Sequence, residues 1–390
     1  MKCEEKFEEI YKHQPQDIAF CPYRICPLGA HSDHQHGKVT GMAINKGIHL
    51  AYGPKRNGVV ELVSLDFDKR AQFSVDRIPK SKENDWADYL RGATLALTKK
   101  YRLSVGLCGV IEGSLPVGGL SSSAAVTLVF LSALCTVNNI HPSKKELIEM
   151  SVYAENEYVG VSSGTLDQSC ECYCKANSLL YLDTESGEFV NVEPNTNMPP
   201  YEIMIVFSGV ERTLADSKFN MRVDECKAAG YALEAFSNSE YGKFKDTYLR
   251  DVPKEIFLKY KDRLPLNWAK RAEHWYTEFD RVEKGIECWK NGDINGFGNL
   301  VFESGKSSIE NYETGSPELK KIYDILKNVD GVYGGRFSGA GFKGCCMALI
   351  NPEYKNKIAQ KVQTEYLESF PQYSDKMQIE FCYSVDGIEY

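Results

Sequence analysis

Leu115-Pro116-Val117-Gly118-Gly119-Leu120-Ser121-Ser122-Ser123-Ala124-Ala125 is a glycine- and serine-rich loop that runs into an apolar stretch with helical character, Ser122–Val137. Such a loop turns several backbone N–H groups toward one anion. The helix start adds unpaired N–H groups and the positive end of its dipole. Gly118 and Gly119 suit a backbone that approaches a ligand closely. Three consecutive serines are poor in a helix interior and good as caps or ligands. A hydroxyl there can also reach a phosphate-bound Mg²⁺, which takes few protein ligands. Taken alone, the pattern describes a capped tight turn equally well. Its spacing is not that of the common P-loop. Gly305-Lys306-Ser307 does match the tail of a P-loop, but the glycine expected five residues earlier is Leu300, and the surroundings are helical with no strand leading in.

The chain has 390 residues, 43% of them apolar, enough for two domains or one large two-lobed unit with a sizeable core. A net charge of −8 argues against a nucleic-acid or anionic-membrane partner. The opening Met-Lys-Cys-Glu-Glu-Lys lacks the apolar core of a signal peptide, and no apolar run approaches the roughly 18 residues that span a bilayer. Thirteen cysteines in such a chain read as reduced thiols, which implies a cytoplasmic protein. Cys170, Cys172 and Cys174 alternate and Cys345 and Cys346 are adjacent; neither group has the spacing common in zinc sites.

Periodicity and turn signals divide the chain near the polar stretch Val192–Pro200, into residues 1–195 and 196–390. Before it, strands are expected at Asp17–Ile25, Gly41–Tyr52, Val105–Gly113 and Ser178–Leu182. Helices are expected at Ser122–Val137 and Lys144–Tyr158, the second capped by Ser143. After it, strands are expected at Glu202–Phe207, Gly344–Ile350 and Gln378–Tyr383. Helices are expected near Met221–Phe236, Ala269–Trp289, Ser316–Asn328 and Glu353–Leu367. Each half is α+β.

The segment from Cys21 to Gly37 places Arg24, Asp33, His31, His34 and His36 in a turn-rich region, where strand ends commonly carry function. Asp33 can accept hydrogen bonds from two vicinal hydroxyls. The histidines invite a metal reading, but no second ligand cluster accompanies them. Solvated loop charges remain the plain alternative. This segment resembles the galactokinase signature, with Arg first and a Gly-x-His-x-Asp core followed by Gly. The loop Gly118–Ala125 resembles the second motif of the GHMP kinase superfamily. Ser338-Gly339-Ala340-Gly341-Phe342-Lys343-Gly344-Cys345 resembles its third. Trp86–Gly92, Gly164–Gln168 and Ser316–Leu319 match in the same order, so the resemblance covers nearly the whole chain.

The resemblance implies a two-lobed GHMP kinase fold: a ribosomal-S5-like N-terminal lobe, an α+β C-terminal lobe, and a cleft between them for sugar and ATP. It implies that Asp167 takes or orients the proton of the sugar C1 hydroxyl. Arg24 beside it would keep Asp167 ionised and stabilise the transferred phosphoryl group. Gly118, Gly119, Leu120, Ser121, Ser122 and Ser123 would cradle ATP. Ser123 and Glu155 would bind Mg²⁺. Asp33 would hold two ring hydroxyls, with His31 nearby and Gly164 contributing backbone. A monomer or weak homo-oligomer is expected.

Three positions depart from the galactokinase pattern. Galactokinases carry Glu, a contact of the sugar 6-hydroxyl, where this chain has Ala30. A carboxylate at C6 would be repelled by Glu and tolerated by Ala. Lys343 stands where Gly is usual and could attract a carboxylate, or face solvent or ATP. Phe219 stands where a sugar-contacting Tyr is usual. The run Arg24–His31 with Gln35, Arg336–Phe342 and Lys270–His274 resemble the uronate-specific galacturonokinase branch. The expected reaction is ATP-dependent phosphorylation of D-galacturonate at C1. Phosphorylation of galactose or another hexose, and a non-catalytic sugar sensor on the same fold, are the alternatives.

Overall fold

The computed structural model describes residues 1–67, 70–116, 118–210, 218–237 and 242–390. In chain order the first half holds α1 (Lys2–Tyr11), β1 (Asp17–Ile25), β2 (Lys38–Lys55), β3 (Val59–Ser64), β4 (Arg70–Ser74), α2 (Asp88–Thr98), β5 (Gly106–Gly113), α3 (Ser122–Val137), α4 (Lys144–Tyr153), α5 (Leu166–Tyr173), β6 (Leu179–Asp183) and β7 (Phe189–Val192). The second half holds β8 (Glu202–Phe207), α6 (Phe219–Phe236), α7 (Lys254–Tyr260), α8 (Leu266–Asn291), α9 (Ile294–Glu310), α10 (Pro317–Lys327), β9 (Val332–Phe337), β10 (Cys345–Ile350), α11 (Lys355–Ser369), β11 (Gln378–Cys382) and β12 (Ser384–Val385).

Strand β2 organises the larger sheet. The path runs β4-β3-β5-β2-β6-β7, and β1 and β12 also pair with β2. The β1–β2 register shifts between Pro22 and Tyr23, where proline cannot donate to the ladder. The shift precedes Arg24, which then pairs opposite Ala43. Helix α3 is apolar nearly all round, as a helix buried on every side must be, and it packs on β1, β2, α2 and α4.

The smaller sheet is antiparallel, in the order β11-β8-β10-β9. Alternation along β8 splits its side chains between two cores. Ile203, Ile205 and Phe207 join the large core with α3, whereas Met204 and Val206 face α10 and α11. Both faces are covered, which is why Glu202–Phe207 and Cys345–Ile350 read as near-continuous apolar runs. The chain then returns to the first half. Ser384 and Val385 pair with Ile44 and Ala43 of β2, Gly387 N–H donates to Cys174 O at 2.8 Å, and Ile388 N–H donates to Glu171 O at 2.7 Å.

Two expectations change in detail. The helix expected over Lys144–Tyr158 is α-helical only to Tyr153, and Ala154–Val159 forms a π turn. Helix α2 crosses here so closely that a Cβ on Gly92 would lie 2.8 Å from Tyr158 Cβ and 3.0 Å from Ala154 Cα. The Ser143 cap forms as expected: Ser143 Oγ accepts from Glu146 N–H at 3.2 Å, and the Glu146 carboxylate accepts from Ser143 N–H at 2.9 Å. Gly305-Lys306-Ser307 lies inside α9, where Gly305 makes room for the Tyr323 ring and Ser307 bonds His274. All thirteen cysteines are free thiols and all but Cys288 are buried. No helix among the described residues is long and apolar enough to cross a membrane.

Helix α9 meets β9 at a glycine crossing. A Cβ on Gly298 would lie 1.9 Å from Tyr333 O, a backbone atom that cannot swing away. Gly298→Ala should therefore cost about 1–3 kcal/mol of stability, the usual range for overpacking. Urea denaturation would show it as a lower midpoint at unchanged slope; an unchanged midpoint would mean the helix can lift off the sheet freely.

Candidate active site

Arg24 near the end of β1 meets Asp167 at the start of α5. Arg24 is 3% exposed, and its Nε and Nη2 both donate to Asp167 Oδ1, at 2.9 and 2.7 Å. Among the described residues nothing bonds Oδ2, and Arg24 Nη1 is buried without a partner. Burial works against the Arg24 charge and Asp167 more than restores it, so the guanidinium stays ionised. One Asp167 oxygen is thus neutralised while the other is left for a hydroxyl. The next acid along the helix, Glu171, behaves differently. It is fully buried with both oxygens unpartnered, and burial together with Asp167 pushes its carboxyl well up, which keeps it neutral.

Beside this pair, Asp33 opens a short 3₁₀ turn, and its Oδ2 accepts from Leu166 N–H at 3.3 Å. Gly164 lies against it so tightly that a Cβ there would sit 2.3 Å from Asp33 Oδ2. Burial, then Asp167, raise the Asp33 carboxyl to about 6 against its backbone hydrogen bonds. His31 adopts a left-handed backbone at φ 63°, donates from Nε2 to Gly339 O at 3.1 Å and stacks on Tyr312 at 4.4 Å. Burial, then the charge of Arg336, keep its ring neutral. Ala30 lines the wall, its carbonyl accepting from His274 Nε2 at 3.0 Å. Phe219 at the start of α6 meets the His34 ring edge-on at 5.9 Å. The next residue, Asn220, ties α6 to the π-turn region: its Nδ2 donates to Gly160 O and its Oδ1 accepts from Ser162 N–H.

The other end of the cleft is built from the loop before α3. Val117 lies outside the described residues. Gly118 and Gly119 have φ of 136° and 87°, a region that favours glycine, and a Cβ on Gly119 would meet Cys345 Sγ at 2.7 Å. Leu120 turns inward, its carbonyl accepting from Arg24 N–H at 3.4 Å. Ser121 stands at the N-cap in a left-handed conformation, caps nothing, and leaves its buried Oγ without a partner. The first turn of α3 is thus uncapped by any side chain among the described residues, which fits an anion. Glu155 comes off the π turn, 3% exposed. Its Oε2 accepts from Ser163 Oγ at 2.7 Å and Gln168 Nε2 at 3.0 Å. Burial and Asp167 raise its carboxyl, while Ser163, Ser123 and Gln168 hold it down. Ser123 and Glu155 therefore bring two hard oxygen donors together, a set that suits Mg²⁺ with phosphate oxygens completing its shell.

These groups surround one cleft of about 520 Å³. Arg24, Ala30, His31, Asp33, Gly119, Ser121, Ser122, Ser123, Glu155, Gly164, Asp167 and Phe219 all line it; Gly118, Leu120 and Lys343 do not. Sequence reading missed the segment around Lys82, Asn84 and Asp85, which also lines the cleft. Asp88 holds that segment by accepting from the N–H groups of Glu83, Asn84 and Asp85, and Arg91 bonds Asp85 and Asp88 at 2.7 Å each. The only signal was the Trp86–Gly92 match, which carried no assigned role.

Three family models match: the galactokinase galactose-binding signature over residues 5–54, the GHMP kinases N terminal domain over 88–175, and the GHMP kinases C terminal domain over 286–368. The chain is 39% identical over 381 residues to a galacturonokinase of Arabidopsis thaliana, covering 92% of this chain and 89% of that one. It is 30% identical over 370 residues to a galactokinase of Clostridium acetobutylicum, covering 94% and 93%. The crystal structure of Lactococcus lactis galactokinase complexed with galactose superposes with a TM-score of 0.89 at 26% identity, covering 99% and 98%. Methanococcus jannaschii mevalonate kinase shares the fold at a TM-score of 0.64 and 15% identity, covering 95% and 98%. Most of the cleft residues fall within the matched segments, and the chain belongs to the GHMP kinases as a sugar kinase of the galactokinase and galacturonokinase kind.

Proposed function

We propose that the protein is an ATP-dependent sugar-1-kinase that converts D-galacturonate to its 1-phosphate. The observation that carries this reading is Ala30 on the cleft wall beside the Arg24–Asp167 pair. No acid at that position opposes a substrate carboxylate. Higher identity to the galacturonokinase than to the galactokinase, 39% against 30%, supports the same choice. Galactose is the second reading, favoured by the superposition on the galactose-bound galactokinase.

Asp33 accepts two ring hydroxyls and fixes the sugar face. The C1 hydroxyl then lies against Asp167 Oδ2, which accepts its proton as the hydroxyl oxygen attacks the γ-phosphorus; the bond from that phosphorus to the β–γ bridging oxygen breaks and ADP leaves. Arg24, held ionised by Asp167 Oδ1, presents its free Nη1 to the charge that develops on the transferring group. The α3 N-terminus and Ser121–Ser123 hold the phosphates. Ser123 and Glu155 would hold Mg²⁺, which would supply neutralisation of phosphate charge. The proposed lobes are residues 1–195 and 196–390, with the cleft between them.

ATP-dependent ADP release with Mg²⁺ should favour D-galacturonate over D-galactose and D-glucuronate. Ala30→Glu should reverse the choice, lowering kcat/KM for galacturonate about a hundredfold relative to galactose, the scale of like-charge opposition. An unmoved ratio would remove Ala30 from substrate selection. Asp167→Asn should lower kcat by about 10²–10⁴-fold with the fold intact by circular dichroism; full activity would refute its role.

Asp33 also predicts a pH dependence. Its folded value of about 6 lies above the ordinary 3.8, so ionising it costs stability that is lost as pH rises toward about 6. Sugar binding needs the ionised form, so kcat/KM should fall as pH drops below about 6. Asp33→Asn should melt higher than the parent at pH 8 while losing sugar affinity. A variant that melts lower would show that the ionised carboxylate stabilises the fold.

A further inference from the structure

Behind Ala30 lies a buried ionic cluster that touches the site only through backbone. Arg336 of β9 is fully buried. Its three hydrogen bonds go to neutral oxygens: Nε to Phe337 O at 3.1 Å, Nη1 to Ser304 Oγ, and Nη2 to Ser308 Oγ at 3.0 Å. The nearest acid in this network is Glu278 of α8, also fully buried and hydrogen-bonded with Ser304. Glu278 is already engaged. One oxygen accepts from Gly29 N–H at 2.8 Å; the other accepts from Arg281 Nε at 3.0 Å and lies 2.9 Å from Arg281 Nη2 as an ion pair. Two guanidinium groups therefore share one carboxylate.

This cluster is wrapped around the turn that carries Ala30. Glu278 holds Gly29, and His274, one turn earlier on α8, holds the Ala30 carbonyl. Burial, partly offset by neighbours that include Glu278, carries the His274 ring down to about 4, so it adds no charge. The Arg336 charge reaches the cleft wall: after burial it is the largest influence on both Cys26 and His31, which line the cleft together with Ala30. The cleft also carries the carboxylates of Asp33, Glu155 and Asp167, and Asp33 acts on Cys26 against Arg336, so the positive cluster is what offsets acid charge beside Ala30. Low dielectric around Arg336 lets one uncompensated charge act over several ångströms.

We propose that Arg336 is a specificity-determining residue: with Arg281 it leaves the cluster behind Ala30 net positive, and that field favours a substrate bearing a carboxylate at this end of the cleft. Arg336 does not touch the substrate; it acts through the Gly29–Ala30 backbone. The inference rests on the galacturonate reading and supplies the attraction that the mere absence of an acid at position 30 does not.

The test is the ratio of kcat/KM for galacturonate to that for galactose in the parent and three variants, with galacturonate Kd by calorimetry. Arg336→Met should lower the ratio about tenfold, through KM and Kd for galacturonate rather than kcat. Arg336→Lys, which keeps the charge, should restore most of it. Glu278→Gln, which removes the only negative charge in the cluster and can still accept from Gly29 N–H, should raise it. Equal losses for both sugars in Arg336→Met would reveal a packing role and overturn the proposal. If that variant does not fold, a ratio left unchanged or lowered by Glu278→Gln overturns it alone. A parent enzyme with no preference for galacturonate overturns the functional reading and this inference together; a parent that prefers galacturonate, with ratios that ignore these charges, overturns this inference only.

Discussion

Burying a guanidinium is costly, least so beside a carboxylate, and Arg24 is almost wholly buried. Its place next to the end of β1 is set by the sheet register, so the carboxylate must come to it. That requirement fixes where α5 begins, because Asp167 is the helix's second residue. It also fixes the loop before α3, whose Leu120 carbonyl takes the Arg24 N–H. One ion pair thereby aligns β1, α5 and the loop before α3. The pair is also asymmetric. Both donors converge on one oxygen, so the geometry satisfies the arginine while leaving the acid an open lone-pair face.

Around this pair the acids are graded by surroundings rather than by type. Glu171 has neither hydrogen bonds nor solvent and is held neutral. Glu155 has three hydrogen-bond donors and is raised less. Asp33 keeps backbone donors and sits between these extremes. Four carboxyl groups in one region would repel one another if all were ionised, and desolvation removes one of them from the count.

The sequence was most legible where one physical cause dominates. Ser122–Val137 and Glu202–Phe207 were read to the residue, since a wholly buried helix and a strand covered on both faces leave unbroken apolar runs. That Gly118–Ser123 and the Arg24–Asp33 segment form turns at one cleft was legible because glycine spacing records backbone geometry directly. The π turn at Ala154 was not: it follows from Gly92 of α2, a neighbour distant in sequence. Strand Arg70–Ser74, whose alternation runs over only five residues, and helix Asp88–Thr98 are absent from the sequence reading. The cluster of Arg336, Glu278 and Arg281 was equally invisible, since only the packing of α8 and α9 on β9 unites residues whose individual roles look like surface charge.

The return of the chain to the first sheet ties α5 to residues 384–388. Asp167 lies at one end of α5, and the other end is held by the amides of Gly387 and Ile388, next to the strand that pairs with β2. In the order of synthesis, both cleft motifs of the first half leave the ribosome long before the segment that secures α5. A chain that has emerged only through those two motifs still lacks the two hydrogen bonds that brace the end of α5 away from Asp167.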